Sequence, residues 1–368
     1  MISRIQWQCV FVATLVGLMS CGDDGASPGG LRAVAAGRGL SIGSAADDEH
    51  LVDDPEYGPV LAREFDSLTP YTAMKWGRIH PQPDRYDFAG ADAIVEFATA
   101  HRMRVRGHTL VWGSASDPPN PAYVNSASSP AALCALMTDH IQTVMRRYAG
   151  RVDRWDVVNE PLTSLGEPGI SDGLRDHVFL QQLGPGYIAE ALELAHRADP
   201  AARLFVNDVF VLKPGPKQER YFRLVRELVD AKVPLHGVGF QGHLAFLPVP
   251  LPGDVDLPTE AEIEATLRRF AALGVDVEIT ELNVHTWRFE GDRSARLAQQ
   301  RDLYAGAVRA CVAVSACTAV TVWLFTDRYP TSIEAFLHRD GEPLLFDDDY
   351  APKPAYFGVR AALRAGRR

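Results

Sequence analysis

An alternation repeated eight times, between short apolar runs rich in β-formers and longer amphipathic stretches, constrains this chain more than any other feature. The runs are residues 39–45 (GLSIGSA), 68–76 (LTPYTAMKW), 104–112 (RVRGHTLVW), 152–160 (VDRWDVVNE), 202–208 (ARLFVND), 236–243 (HGVGFQGH), 275–282 (VDVEITEL) and 318–325 (TAVTVWLF). Strands separated by helix-length connections pair in parallel, and strands buried on both faces read as nearly continuous apolar runs. Between them, segment 260–273 puts Ile263, Leu267 and Phe270 on one helical face, and segment 217–230 does the same with Phe222, Val225 and Leu228. Eight such units with no linker predict one α/β domain, a closed (β/α)8 TIM barrel over residues 39–368. An open nucleotide-binding sheet would want GxGxxG between its first strand and helix. The nearest match, GRGLSIG at 37–43, has the wrong spacing and leads into a strand.

The N-terminus points to export. Arg4 precedes an apolar run from Cys9 to Met19, too short for the ~20 residues a membrane-spanning helix needs, so residues 1–21 read as a secretory signal. Leu18-Met19-Ser20-Cys21 has the form of a bacterial lipobox, which makes Cys21 a candidate lipidation site and membrane anchor. The alternative is an ordinary cleaved signal with an incidental cysteine. Residues 22–38, small and Gly-rich, read as a flexible tether to a secreted or cell-surface domain. In an oxidising compartment Cys311 and Cys317, at the end of a helical stretch and the start of an apolar strand, could close a short disulfide loop. Cys134, in ALCALM, reads as a buried free thiol. No Cys/His spacing suggests a zinc site, and no metal or cofactor is expected. Of 368 residues, 37 are Lys or Arg and 47 Asp or Glu, a formal net charge of −10 with the arginines scattered. Such a surface repels phosphate backbones and argues against a nucleic-acid partner, whereas a neutral polysaccharide or oligosaccharide is compatible with it. A monomer is expected.

In a (β/α)8 barrel the active site gathers at the C-terminal ends of the strands. Polar or aromatic residues that end otherwise apolar runs are Lys75 and Trp76, His108 and Trp112, Asn159 and Glu160, Asn207 and Asp208, Gln241 and His243, Glu281, and Trp323. Any one of them could be a capped strand end or a satisfied core group. Their occurrence at so many strand ends is what points to a site. Glu160 and Glu281 end the fourth and seventh runs, which face each other across such a barrel. Glycoside hydrolysis uses one carboxyl to protonate the leaving oxygen and another near the anomeric carbon, and at ~5 Å separation the second attacks directly with retention. Burial and a neighbouring negative charge are expected to keep the proton donor protonated.

The motifs HTLVW (108–112), WDVVNE (155–160), ND (207–208), GVGFQGH (237–243), ITEL (279–282), TVWLFTD (321–327) and LLFDDDYAPKPAY (344–356) resemble the xylanases of glycoside hydrolase family 10. So does the Cys311–Cys317 pair ahead of the last strand, and the likeness runs from about Ser41 to about Leu363. The resemblance implies an endo-β-1,4-xylanase type of enzyme that cleaves xylan by double displacement, with Glu160 as acid/base and Glu281 as nucleophile. It implies that Asn159 holds the sugar 2-hydroxyl and that Lys75 and His108 hold the 3-hydroxyl. Gln241 and His243 would brace the two glutamates, and Trp112 and Trp323 would wall the cleavage subsite. Arg85, Tyr86 and Phe88 fall on a structural segment.

The chain also departs from that pattern. Tyr71 and Thr72 replace a Glu-Asn pair that binds the next sugar, and Gly113 and Ala115 replace a His and a Gln. Val209 and Phe210 replace a Tyr-Asn pair, Thr331 replaces a Trp, and Asn283 stands where an Asp orients the histidine beside the nucleophile. The cleavage machinery is kept while contacts to the adjacent sugar are lost. The substrate could therefore be a decorated xylan, another β-linked glycan, or a glycoside with a non-sugar aglycone. A catalytically weak glycan-binding surface lipoprotein is the competing reading. A metal hydrolase using His108, His243 and Asp208 lacks any tight ligand pair such as HxH.

Overall fold

The computed structural model describes residues 30–113, 120–163 and 173–365, so the signal segment, Cys21 and Ala115 lie outside the described residues. Eight parallel strands form a closed barrel in sequence order. They are β1 (Ser41–Ala46), β2 (Ser67–Pro70), β3 (Arg104–Trp112), β4 (Arg154–Asn159), β5 (Arg203–Val209), β6 (Gly237–Leu244), β7 (Asp276–Val284) and β8 (Cys317–Val322). Closure comes from β1, where Gly43 pairs with Ser67 of β2 on one side and Thr321 of β8 on the other. β3 and β4 approach closely at Gly107, where a Cβ would come within 2.1 Å of the Trp155 ring.

Two of the longer helices carry clear start signals. Ser129 caps Pro130–Tyr148, which has proline in its first turn, and Thr259 with Glu262 forms a capping box on Glu260–Ala271. Ile263, Leu267 and Phe270 are buried together, as their spacing predicts. On Pro216–Asp230 the buried face is turned slightly from the expected one. Val225 and Leu228 are buried, but Tyr221 replaces the partly buried Phe222 because its hydroxyl donates to the carbonyls of Val206 (2.8 Å) and Gly239 (3.1 Å) on the barrel.

The barrel interior below the site is charged rather than apolar. Arg106, 2% exposed, donates to Asp156 through Nε (2.9 Å) and to Glu278 through Nη1 (2.7 Å). Arg154 pairs with Glu278 from the neighbouring strand. Buried charge is tolerated only when paired, and here two guanidinium groups meet two carboxylates. Although burial pushes the Asp156 carboxyl up, Arg106 and the His108 hydrogen bond together hold the group below its ordinary value.

Three sequence expectations need correction. Residues 31–36, assigned to a tether, form a helix whose Leu31 and Ala35 are buried. Arg32 fixes it by donating to the carbonyls of His101 (3.0 Å) and Arg102 (2.8 Å). The second run is a strand only as far as Pro70, and Lys75 and Trp76 are carried by the following turn and the short helix Trp76–Ile79. Cys134 is free but half-buried, with its thiol donating to Glu190 at 3.1 Å rather than packed in the core. The Cys311–Cys317 disulfide is formed, tying the helix Arg293–Val312 to the start of β8.

Candidate active site

At the C-terminal mouth of the barrel lies a cavity of about 480 Å3 lined by Lys75, His108, Trp112, Asn159, Glu160, His243, Glu281 and Trp323 among others. The expected catalytic and sugar-binding residues all line it except Gln241, which hydrogen-bonds two that do, Asn159 and Glu160; Trp76, Asn207 and Asp208 do not line it. Glu160 immediately follows β4 and Glu281 lies near the end of β7. Both have left-handed backbones, with φ of 51° and 56°. Non-glycine residues hold that conformation only where surrounding structure imposes it, and such positions concentrate at functional sites.

Each glutamate has its own set of partners. Glu281 Oε1 accepts from Asn207 Nδ2 at 2.8 Å, and its Oε2 lies 3.1 Å from His243 Nε2. The other imidazole nitrogen of His243 is 3.1 Å from Asn283 Oδ1, so an amide occupies the orienting position that the family pattern gives to a carboxylate. Glu160 Oε1 accepts from Gln241 Nε2 at 3.0 Å. Its Oε2 accepts from Trp112 Nε1 at 3.1 Å and from Arg175 Nη1 at 2.7 Å. Asn159 joins the two sets, because its Oδ1 accepts from both Asn207 (2.9 Å) and Gln241 (3.2 Å). That leaves its amide NH2 as the group it can offer a ligand. His108 is oriented by Asp156, 3.0 Å from Nδ1, and Lys75 Nζ lies 5.2 Å from the Trp112 ring centroid.

The expected protonated donor is not what the resting site holds. Burial pushes the Glu160 carboxyl up, but the Arg175 charge, the Gln241 hydrogen bond and Lys217 together hold it down at about 2. Both oxygens accept hydrogen bonds, which favours the carboxylate over the acid. Sequence reading missed Arg175 because it sits on a loop between β4 and the next helix, away from any strand end.

Other strand-end candidates resolve into support. Asn207 bonds directly to Glu281. Asp208 accepts from the backbone N–H of Leu162 (3.1 Å) and Val209 (2.8 Å) and pairs with Lys217 at 2.8 Å, while burial keeps its carboxyl above the ordinary range. No group of three His, Cys, Asp or Glu side chains placed to hold a metal ion occurs among the described residues. Gly113 also finds an explanation, since a Cβ there would meet the His177 ring at 2.0 Å. The His177 ring thus fills the space a larger residue at 113 would need, and burial lowers its imidazole to about 4.

Comparison with known proteins agrees with this geometry. The family model described as Glycosyl hydrolase family 10 matches residues 30–362. The chain is 34% identical over 336 residues to endo-1,4-beta-xylanase B of Thermotoga neapolitana, covering 90% of this chain and 91% of that one. It is 35% identical over 333 residues to endo-1,4-beta-xylanase A of Phanerodontia chrysosporium, covering 89% and 76% respectively. Among solved structures, native xylanase 10B from Thermotoga maritima superposes with a TM-score of 0.81 at 34% identity, covering 91% of this chain and 98% of the other. Xylanase 10B from Thermotoga petrophila RKU-1 in complex with xylobiose gives 0.80 at 32% identity, covering 92% and 98%.

Proposed function

The chain belongs to glycosyl hydrolase family 10 and is a glycoside hydrolase, and we propose that it cleaves β-1,4-linked xylose units with retention of configuration. The observation that carries this reading is the pair of glutamates at the end of β4 and on β7, held in one cavity by separate donor sets. Glu281, oriented through both oxygens by Asn207 and His243, attacks the anomeric carbon and displaces the leaving oxygen. Glu160 protonates that oxygen as it leaves, and then takes a proton from the water that releases the sugar from Glu281. Its resting ionised state already matches the second of these roles. For the first, the Arg175 contact has to yield to a proton when the sugar enters.

Lys75, His108 and the Asn159 amide supply donors for the hydroxyls of the attacked sugar, and Trp323 walls it. The xylan relatives support xylose as that sugar, because their names record endo-1,4-beta-xylanase activity and the Thermotoga petrophila structure holds xylobiose. The reading includes export of the chain, supported by the Cys9–Met19 run and by the Cys311–Cys317 disulfide, with Cys21 as the candidate anchor.

The test is hydrolysis of aryl β-xyloside, β-glucoside and β-cellobioside, with the anomeric configuration of the first product followed by NMR and Glu281→Ala run alongside. Xylosides are expected to react with retention, and the substitution to abolish turnover. An inverted product, or sugar binding without turnover of any substrate, would overturn the proposal.

A further inference from the structure

We propose that the pocket is closed behind the attacked sugar, so that the enzyme removes single sugars from the non-reducing end of a chain instead of cutting within it. This rests on the roles given to Glu160 and Glu281 above. The orientation of a bound chain follows from those roles. A proton donor has to face the leaving oxygen, so the departing part extends past Glu160, on the side of Gln241. The attacked sugar lies over Glu281, among Lys75, His108 and Asn159. Any sugar preceding it would continue away from Glu160, toward the wall formed by Tyr71 and Trp323, which follow β2 and β8.

That exit is blocked by side chains. The Tyr71 ring packs on Trp323 with centroids 5.4 Å apart, and Lys75 Nζ lies 5.3 Å from its centre. Beneath it, Ala45, Trp323, Leu324 and Leu344 form a small apolar cluster separate from the main core, on which Tyr71 rests. The Tyr71 hydroxyl accepts from the backbone N–H of Ser332 at 3.1 Å and also hydrogen-bonds the Ser332 hydroxyl. Two rim segments far apart in sequence therefore meet across the pocket wall.

The far side of this contact is well fixed. Ser332 begins the short helix Ser332–Leu337, whose N-terminus is a capping box between Thr331 and Glu334. Glu334 also accepts from the Gly341 N–H at 2.7 Å, which ties the helix to the chain that follows it. Ile333 and Phe336 continue the wall, and Phe336 is 78% exposed at the lip. A second sugar on this side would have to displace a hydrogen-bonded tyrosine from an apolar seat, and no such displacement is needed to admit a chain end.

The experiment digests xylohexaose carrying a reducing-end label, and measures kcat/KM for aryl β-xyloside and aryl β-xylobioside. Wild type is expected to release xylose and the labelled pentaose as first products, and to favour the xyloside. Tyr71→Ala is expected to raise the xylobioside-to-xyloside ratio by about tenfold or more, the scale of one or two regained sugar contacts. Ser332→Ala removes the hydroxyl hydrogen bond while keeping the backbone one and the ring, and is expected to raise the ratio less. Because Tyr71 stands at the rim, thermal melting of both variants will show whether they fold as wild type does. If Tyr71→Ala unfolds, the wild-type product pattern and Ser332→Ala decide. First products of xylobiose and xylotriose from wild type, or an unchanged ratio in folded Tyr71→Ala, would overturn the closed pocket and leave the glycosidase reading standing. No turnover of any xyloside would remove both.

Discussion

Replacing Arg175 with Met keeps most of its length and removes its charge, which isolates its effect on Glu160. Glu160 is held from an ordinary 4.5 down to about 2 while burial pushes the other way. At about 1.4 kcal/mol per pH unit, that gap corresponds to roughly 3 kcal/mol of preference for the carboxylate. Arg175 contributes the largest of the opposing effects, ahead of Gln241 and Lys217. With it gone, burial meets weaker opposition and the carboxyl should rise by about one to two pH units. The alkaline limb of kcat/KM against pH reports the proton on the free enzyme's acid, so the assay is that profile with an aryl β-xyloside whose leaving group needs protonation. The limb is expected to move to higher pH by the same amount in Arg175→Met. Stability gives an independent reading. A depressed carboxyl adds stability above its unfolded pKa, and that stability is lost as pH falls from about 4.5 toward about 2. The variant should therefore lose less of its stability over that window than wild type does. An alkaline limb that stays in place while KM alone changes would refute the reasoning and make Arg175 a contact for the departing group.

Three further outcomes follow from the same structure. Glu160→Ala should slow substrates with poor leaving groups by about 10²–10⁴-fold and spare a dinitrophenyl xyloside, with azide giving the β-glycosyl azide. Equal loss on both substrates would contradict its assignment as the acid. Arg106→Met takes the guanidinium partner from buried Asp156, leaving it His108, and leaves buried Glu278 to Arg154 alone, and should cost about 3 kcal/mol in urea unfolding. A change below about 1 kcal/mol would show that water or protonation compensates. Replacing Cys311 and Cys317 with Ser opens a short loop and should cost about 2 kcal/mol, seen as a lowered Tm with activity at 25 °C unchanged. An unaltered Tm would mean that the disulfide adds no stability.

Strand patterning was legible wherever the apolar run ended where the ladder did, as in β3, whose bounds match the run 104–112. At β2 the run continued into Tyr71–Trp76, and an apolar turn cannot be told from a strand by hydropathy alone. The pocket residues on β3, β4, β6 and β7 were visible because each interrupts an apolar strand at its C-terminal end. Arg175, Ser332 and Phe336 carry no such mark. They lie on rim loops or short helices, where polar and exposed apolar residues are ordinary, and only the closed barrel brings them to the cavity. The ionised state of Glu160 was misjudged for the same reason, since the cation responsible comes from a loop.

The charged layer beneath the pocket also works as a crossbar. Arg106 on β3 reaches Asp156 on β4 and Glu278 on β7, and Arg154 on β4 reaches Glu278 as well. Glu160 follows β4 and Glu281 lies on β7 a few residues further on, so these deep ion pairs brace the two segments that carry the proposed catalytic glutamates. Such pairs lose less of their worth on heating than surface contacts do, because the hydration they give up becomes less favourable as temperature rises. The rim contact between Tyr71 and Ser332 rests on hydrogen bonds and an apolar seat instead of on ion pairs. Warming should therefore blur which sugars are accepted before it disturbs the distance between the two carboxylates, and selectivity should fail at a lower temperature than bond cleavage.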